Sequence, residues 1–227
     1  MSKLHTDAVA GTMDVGFFLG WISRAAGAVA AEKDRLTTLD AAIGDGDHGT
    51  NLSRGLASVQ AALEAEPPAT PGATLTRVGM TLISSVGGAS GPLYGTFFRR
   101  TGRALGEAES VDAAELAEAF QAGLDGLTKL GGAQPGDKTM VDVIAPAIDA
   151  LRAAAADGTS TAEALARAAD VAEAGARETI PWRARKGRAS YLGERSEGHE
   201  DPGAASAALL WRTLAQTAQA GGDAHAG

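Results

Sequence analysis

The chain has 227 residues, of which 44% are hydrophobic and 4% are aromatic, and it carries a formal net charge of −8. This length and apolar content suffice for a buried core in one large domain or two small ones. The negative charge would repel a phosphate backbone over most of the surface, which argues against a nucleic-acid partner. Because the sequence has no cysteine, disulfides and thiolate chemistry are excluded.

The longest apolar run near the N-terminus, residues 15–22, is too short to span a bilayer. It also lacks the small-residue cleavage pattern of a secretory signal. We therefore expect no membrane partner and a cytoplasmic protein.

Apolar residues recur at helical spacing along the chain, and Ala, Gly and Leu dominate the composition, so the sequence predicts an all-α fold. The linkers between the apolar stripes are short, and none shows the shift in composition expected between domains. We therefore predict one domain over residues 1–227, an up-and-down bundle of about eight helices, with a frayed tail from Ala218 to Gly227. The eight stripes lie within residues 9–21, 52–63, 75–86, 93–105, 116–127, 140–151, 165–180 and 210–214.

Two local patterns mark the starts of the last two predicted helices. Ser160 with Glu163 fits a capping box, and Asp201 followed by Pro202 fits an N-cap with proline at the first helical position. We therefore expect these helices to begin directly after Ser160 and Asp201.

Four polar, glycine-rich segments interrupt the helical pattern, at residues 39–51, 87–92, 131–139 and 182–203. They follow the first, third, fifth and seventh predicted helices. Alternate connections of an up-and-down bundle lie at the same end, so we expect the four segments to meet on one rim and to carry the chemistry.

The first segment holds three carboxylates, Asp40, Asp45 and Asp47, among glycines that let the backbone turn. Such oxygen ligands, shared with substrate phosphates, suit one magnesium ion or two. A dinucleotide-binding fingerprint is disfavoured because no strand precedes the glycines, and an EF-hand because Leu56 stands where its bidentate glutamate belongs. An interpretation in which the aspartates only cap the next helix stays open, although three crowded carboxylates are costly without a cation.

The next two segments suggest a place for an anion and for a flat ring. Residues 87–92 lead into a helix, so their N–H groups and the Ser90 hydroxyl should point toward an anion, unless they form a plain glycine cap. Residues 131–139 nearly match a P-loop but have one extra residue and no preceding strand. We interpret this segment as a loop capped by Asp137, whose glycines let a base approach.

His48 and the basic residues of the fourth segment have two interpretations each. His48 is expected to bond or neutralise a phosphate oxygen, or else to be an ordinary capping or exposed histidine. The basic cluster is typical of a mobile, phosphate-seeking lid, or else of a surface loop or a docking patch for an acidic partner. Its members are Arg183, Arg185, Lys186, Arg188 and Arg195.

Four motifs stand in these four segments: IGDGDHG at 43–49, GGASGPL at 87–93, GDKTM at 136–140 and GRASYLG at 187–193. Together and in this order they resemble the nucleotide-binding L subunits of dihydroxyacetone kinases, the Dak2-domain family. The likeness covers nearly the whole chain. It implies an eight-helix antiparallel barrel that holds a magnesium-bound nucleotide at one rim.

The resemblance also implies roles for individual residues, with His48 and Arg188 as the catalytic ones. The magnesium ligands would be Asp40, Asp45 and Asp47. The phosphates would be lined by His48, Gly49, Thr50, Asn51, Ala89, Ser90 and Arg188. The base and the remaining edge of the nucleotide would contact Gly131, Met140, Asp201, Pro202 and Gly203. Thr50 stands where some members carry leucine, which weakens the assignment to a subgroup.

By the same resemblance, the acceptor dihydroxyacetone would be held covalently by a histidine of a separate K subunit. In the phosphotransferase-system form, which we favour, a phosphocarrier protein rephosphorylates a tightly held ADP. The alternatives are an ATP-dependent kinase subunit for a triose or tetrulose and a nucleotide-sensing subunit that binds a transcription regulator. The sequence leaves open the choice between ADP and ATP, the sugar, and whether the chain is a monomer or a homodimer.

Overall fold

The computed structural model describes residues 11–223, which form a single all-α domain. Two-residue strands β1 (Met13–Asp14) and β2 (Ser110–Val111) pair antiparallel, with Met13 opposite Val111. A 3₁₀ segment at Arg188–Ser196 precedes the last helix. The nine α-helices of the described residues are α1 (Val15–Ala31), α2 (Lys33–Ile43), α3 (His48–Ala65), α4 (Pro71–Ser85), α5 (Ser90–Leu105), α6 (Ala113–Gly131), α7 (Val141–Ala156), α8 (Thr161–Glu178) and α9 (Pro202–Asp223).

Eight of these helices form a closed ring. Helix α1 packs against α3, each helix from α3 to α8 packs against the next, and α9 packs back on α1. Helix α2 lies against α3, α9 and the 3₁₀ segment. The predicted all-α, single-domain, eight-helix barrel is therefore confirmed, with α2 added to it.

Helix α2 was not expected as a separate helix from the apolar pattern of the sequence. Helix α1 ends at Ala31, and α2 begins at Lys33. The buried face of α2 carries Asp40 between Leu36 and Ile43, so a charged residue interrupts the apolar stripe and hides the helical period. The first rim segment is consequently a short link between Ile43 and the start of α3, not a loop over residues 39–51.

Side-chain caps define the starts of the last two helices as predicted. Ser160 accepts the N–H of Glu163 at 3.3 Å, and Asp201 accepts the N–H of Ala204 at 2.7 Å. Each bond satisfies one of the backbone donors that the first turn of a helix leaves unpaired. Helices α8 and α9 accordingly begin directly after these two caps.

The last helix is longer than expected. Regular structure was predicted to fray from Ala218, whereas α9 continues to Asp223. Residues 224–227, and Val9 of the first predicted stripe, lie outside the described residues. Within residues 11–223 no helix is both long and apolar enough to cross a bilayer.

Aromatic side chains fill the centre of the ring. Trp21 of α1 lies 5.7 Å from Phe98 of α5 and 6.1 Å from Phe120 of α6, centroid to centroid. Phe120 lies 5.2 Å from Trp211 of α9. Since each buried aromatic side chain removes roughly 150–250 Å² from water, these contacts stabilise the ring and hold its polar end in place.

Candidate metal and phosphate site

The four glycine-rich segments meet at one end of the ring, as the alternation of helices predicts. They surround a pocket of about 150 Å³, and each segment contributes to its wall. The lining residues are Asp40, Ile43, Gly44, Asp45, Asp47, His48, Gly87, Gly88, Ala89, Ser90, Lys138, Thr139, Lys186, Gly187, Arg188, Ala189, Asp201, Pro202 and Gly203.

Three carboxylates form an acidic cluster in this wall. One oxygen of each of Asp40, Asp45 and Asp47 lies within 4.8 Å of the others. Asp40 is buried, and its Oδ2 accepts the backbone N–H of Asp47 at 2.8 Å and of His48 at 3.0 Å, which orients the carboxylate. Asp45 and Asp47 are exposed. An all-oxygen, negatively charged cluster of this kind fits a hard divalent cation such as Mg²⁺.

A side-chain cation lies against the acidic cluster. Arg188 Nη2 is 2.9 Å from Asp45 Oδ2. Both side chains are more than one third exposed, so this ion pair contributes little to stability. The contact shows where positive charge is favourable, and a metal ion bound by Asp45 would compete with Arg188 for that carboxylate.

His48 is buried at the start of α3, and both of its ring nitrogens lie against hydroxyl groups. Nδ1 is 2.9 Å from Ser90 Oγ, and Nε2 is 2.8 Å from Ser206 Oγ. Burial lowers the pKa of His48, while the nearby charges of Asp40 and Asp47 act to raise it. The neutral ring is therefore favoured and both nitrogens are engaged, so this arrangement does not support the expectation that His48 neutralises a phosphate oxygen.

Lys138 ties the third rim segment to the fourth. The side chain is fully buried, and its Nζ donates to the carbonyls of Ile180 at 3.3 Å, Trp182 at 2.9 Å and Ser196 at 2.6 Å. Its backbone has φ 63°, in the left-handed region that non-glycine residues rarely adopt. Burial lowers the pKa of Lys138, against the raising effect of nearby carboxylates. The stretch of basic residues between Trp182 and Ser196, here called the basic segment, is thus anchored at both ends.

Asp201, the cap of α9, is a buried carboxyl in the wall of the pocket. Burial raises its pKa to about 7, opposed by the N–H of Ala204 and the charge of Lys138. A group with this pKa changes its charge near neutral pH, so the electrostatic field of the pocket depends on pH there.

The third segment is organised by Asp142, not by Asp137 as predicted. Asp142, in the first turn of α7, accepts the backbone N–H groups of Gly136 and Thr139. Asp137 accepts the N–H of Gln134 at 2.8 Å within the loop. The prediction is wrong because α7 begins only at residue 141, too far along the chain for Asp137 to cap it.

Most of the predicted site residues meet in the pocket wall. Both expected catalytic residues and all three carboxylates belong to it. The predicted residues found there are Asp40, Asp45, Asp47, His48, Ala89, Ser90, Arg188, Asp201, Pro202 and Gly203.

Three predicted phosphate contacts on α3 do not line the pocket. Gly49 is buried where α3 meets α2, and a Cβ at this position would overlap the carbonyl oxygen of Lys33. Thr50 is exposed, and Asn51 is buried with its Oδ1 accepting from Arg54 at 2.8 Å. Gly49 therefore has a packing role that its sequence motif did not reveal.

The two predicted base contacts are not among the residues that line the pocket. Gly131 is exposed at the end of α6. Met140 is buried, and its Cε lies 3.5 Å from where a Cβ on Gly203 would stand. A Cβ at Gly203 would also lie 3.0 Å from Asp201 Oδ2, so the backbone of Gly203 packs closely against both side chains.

Four residues of the site and its support were not predicted from the sequence. Lys138 and Thr139 belong to the predicted segments and line the pocket, but no role was assigned to them, whereas Lys186 was expected only as a member of the basic cluster. Ser206 and Tyr94 lie on helices behind His48. The spacing of a polar residue on a buried helical face could have drawn attention to Ser206, whereas Tyr94 is indistinguishable from a core aromatic in the sequence.

The fold and the site define a class of protein: an all-α ring of helices with a carboxylate cluster, a helix N-terminus and a basic segment around one pocket, suited to a divalent cation and a phosphate-bearing ligand. Among known families, the DAK2 domain model matches residues 42–216. The chain therefore belongs to the DAK2 domain family.

Relatives that match this chain over nearly their whole length are named as ADP-binding subunits of dihydroxyacetone kinases. The chain is 46% identical over 201 residues to the "PEP-dependent dihydroxyacetone kinase, ADP-binding subunit DhaL" of Escherichia coli K12, covering 88% of this chain and 96% of that protein. A protein of the same name from Listeria innocua, numbered 1, is 44% identical, with coverage of 91% and 98%. The "L-erythrulose 1-kinase" of Mycolicibacterium smegmatis is 41% identical, but the match covers 80% of this chain and 32% of that protein.

A solved structure shares the fold. The dihydroxyacetone kinase of C. freundii, in complex with AMP-PNP and Mg²⁺, aligns with a TM-score of 0.69 and 27% sequence identity. The alignment covers 95% of this chain and 37% of that chain. The chain thus spans little more than a third of that larger kinase.

Proposed function

We propose that this chain is the ADP- and magnesium-binding subunit of a dihydroxyacetone kinase, a phosphotransferase that acts on dihydroxyacetone held by a separate K subunit. The observation that carries the proposal is the cluster of Asp40, Asp45 and Asp47 in a pocket shared with the start of α5 and the basic segment. Relatives matched over nearly their whole length are named ADP-binding subunits of such kinases, which supports the same division of labour here.

Each wall of the pocket has a role in this proposal. The three carboxylates would hold one or two magnesium ions, which when bound neutralise charge on the phosphoryl oxygens. The first turn of α5, at Ala89 and Ser90, offers unpaired backbone N–H groups to a phosphate. Arg188 would leave Asp45 and stabilise charge on the transferring phosphoryl group. His48 acts indirectly, because its ring nitrogens are occupied by hydroxyls.

The base would lie near Gly131 and Met140, with Pro202 and Gly203 along the remaining edge of the nucleotide. Gly203 lines the pocket and packs against Met140, which supports this placement. Contacts from the first turn of α3 to the phosphates, including those of Thr50 and Asn51, remain predictions.

The phosphotransferase-system form is the favoured version of this function. In it ADP stays bound and a phosphocarrier protein rephosphorylates it in place. Four relatives matched over most of their length are named PEP- or PTS-dependent, which supports this form. An ATP-dependent subunit for a keto-sugar is the second candidate, favoured by the 41% identity to a region of the erythrulose kinase. The K subunit as partner, a homodimer and a cytoplasmic location stay predictions.

Native mass spectrometry of the purified chain tests the proposal. We expect ADP to co-purify at near full occupancy in the presence of Mg²⁺, and a chelator to release it. An empty chain that binds added ATP and exchanges it freely would favour the ATP-dependent form. A chain that binds neither nucleotide would contradict the proposed function.

A matched pair of variants assigns the binding to the acidic cluster. Asp47→Ala should lose Mg²⁺-dependent ADP retention without loss of folding, because relief of carboxylate repulsion does not disturb packing. Asp34→Ala, an exposed aspartate of α2 outside the pocket, should retain ADP like the unaltered chain. Equal loss in both variants would show that general acidity, not this site, controls binding.

A further inference from the structure

A chain of hydrogen bonds runs from the core of the ring to the wall of the pocket. Tyr94 Oη lies 2.7 Å from Ser206 Oγ, Ser206 Oγ lies 2.8 Å from His48 Nε2, and His48 Nδ1 lies 2.9 Å from Ser90 Oγ. Tyr94, Ser206 and His48 are buried, and Ser90 lines the pocket. The carbonyl of Gly203 lies 3.1 Å from Ser206 Oγ and 3.3 Å from Tyr94 Oη.

The donors in this chain can be counted. The carbonyl of Gly203 can only accept, while each hydroxyl offers one proton and two lone pairs. If His48 carries its proton on Nε2, that proton goes to Ser206, the proton of Ser206 goes to Gly203, and the proton of Tyr94 goes to Ser206. Three hydrogen bonds form, and the capacity of Ser206 is filled.

The opposite tautomer satisfies fewer of these contacts. If Nε2 has no proton, Ser206 must donate its own proton to Nε2. Tyr94 must then donate to Ser206, because the two hydroxyl oxygens are only 2.7 Å apart and need a proton between them. Only two hydrogen bonds remain, and Gly203 receives no proton from either hydroxyl. The Nε2–H form of the neutral ring therefore makes one hydrogen bond more, and the geometry favours it.

We propose that Ser206 is a positioning residue that fixes His48 in the Nε2–H tautomer and thereby makes Ser90 a hydrogen-bond acceptor toward the pocket. With the proton on Nε2, the lone pair of Nδ1 takes the hydroxyl proton of Ser90. The oxygen of Ser90 then presents lone pairs to the pocket.

This orientation deepens the proposed function and rests on it for what fills the pocket. Phosphate oxygens at neutral pH mainly accept hydrogen bonds, so the Ser90 hydroxyl does not serve them. The Ser90 oxygen would instead accept from a donor, such as a hydroxyl of the ligand, or lie near a cation held by the carboxylates. Binding of phosphate at the start of α5 is left to the backbone N–H groups.

The protonation sites of the ring can be read directly by ¹H–¹⁵N correlation spectra of the ligand-free chain, which has four histidines. We expect the His48 signals to show a proton on Nε2 in the unaltered chain. Ser206→Ala should shift the ring toward the other tautomer, and Ser206→Thr should restore Nε2–H. Tyr94→Phe should leave the tautomer unchanged, because Ser206 still accepts from Nε2 and donates to Gly203.

The functional readout is phosphoryl transfer with the partner subunit. Ser206→Ala should lower kcat roughly tenfold, as loss of an orienting partner commonly does, with a smaller change in nucleotide affinity. Thr213→Val is the control, since Thr213 is a buried hydroxyl of the same helix that bonds only within α9, and it should transfer at the unaltered rate.

An Nδ1–H ring in the unaltered chain, or an unchanged tautomer in Ser206→Ala, would overturn the inference. If Ser206→Thr does not fold, the spectra of Ser206→Ala and Tyr94→Phe still decide the question. Failure of the proposed function would give a different result. The chain would then bind no nucleotide, although the ring nitrogens of His48 would still show the expected signals.

Discussion

Replacement of Lys138 by methionine should destabilise the protein by about 3 kcal/mol. The ammonium donates to three buried or partly buried carbonyls at 2.6–3.3 Å. The carbonyl of Ile180 also accepts the N–H of Gly198 at 2.8 Å, so it keeps a partner. Those of Trp182 and Ser196 lose the ammonium, at about 1–3 kcal/mol for each buried acceptor left unpaired. Release of the desolvation cost of the charge offsets part of this loss.

Urea unfolding measures the total loss of stability in Lys138→Met, and hydrogen exchange shows which backbone N–H groups lose protection. We expect the N–H groups of Gly198 and Ala184 to exchange faster in Lys138→Met, because they bond to Ile180 and Ser196 in the segment that Lys138 anchors. Lys129→Met, an exposed lysine of α6, is the control and should change stability by less than about 0.5 kcal/mol.

The left-handed backbone at Lys138 adds a second comparison. Lys138→Gly and Lys138→Ala both lose the ammonium, but only glycine adopts φ 63° without strain. The glycine variant should therefore be more stable than the alanine variant by about 1 kcal/mol. A loss below about 1 kcal/mol in Lys138→Met, with unchanged exchange at Gly198, would refute the anchoring role.

Three further outcomes are expected. Asp45→Asn should weaken Mg²⁺ binding in the presence of ADP by roughly tenfold or more, measured by calorimetry, since the amide has lost the negative charge; an unchanged Mg²⁺ affinity would remove Asp45 from the metal site. Arg188→Ala should lower single-turnover transfer more than ADP affinity, and bound Mg²⁺–ADP should slow proteolysis of the basic segment, whereas wild-type transfer with equal cleavage would leave only a surface or docking role. Burial raises the pKa of Asp201 to about 7 in the folded chain, above the value of roughly 4 for an unfolded aspartate. Asp201 therefore contributes stability that is fully present below pH 4 and is lost as the pH rises through 7. The free energy of unfolding of the unaltered chain relative to Asp201→Asn should therefore fall by about 1 kcal/mol per pH unit between pH 4 and 7, and a difference that does not vary with pH would contradict the assignment.

The ring of helices and the shared rim could be predicted because both follow from periodic patterns. Apolar residues at helical spacing identify each ring helix, and the alternation of loops places four segments at one end. The carboxylates could be predicted as a cluster because they lie within eight residues of one another. Helix α2 could not, since Asp40 stands on its buried face and breaks the apolar stripe.

The support behind the pocket could not be predicted because it depends on pairs that are distant in the sequence. Ser206 meets His48 across 158 positions, and Tyr94 meets Ser206 across 112. Lys138 resembles a surface lysine in the sequence, yet it is buried against carbonyls more than 40 positions away. Local patterns give residue type and face, whereas such partners emerge only once the helices are assembled.

The closure of the ring by α9 determines when the pocket can exist during synthesis. Trp21 donates from its indole nitrogen to the carbonyl of Leu210, a contact across 189 positions that joins the first helix to the last. Asp201 and Ser206, which belong to the pocket and its support, stand in the same final stretch. Domains are synthesised from the N-terminus, and contacts of large sequence separation form late because their loops are costly to close. A nascent chain therefore completes the wall of the pocket only after α9 has left the ribosome, and until then its aromatic core stays open on one side.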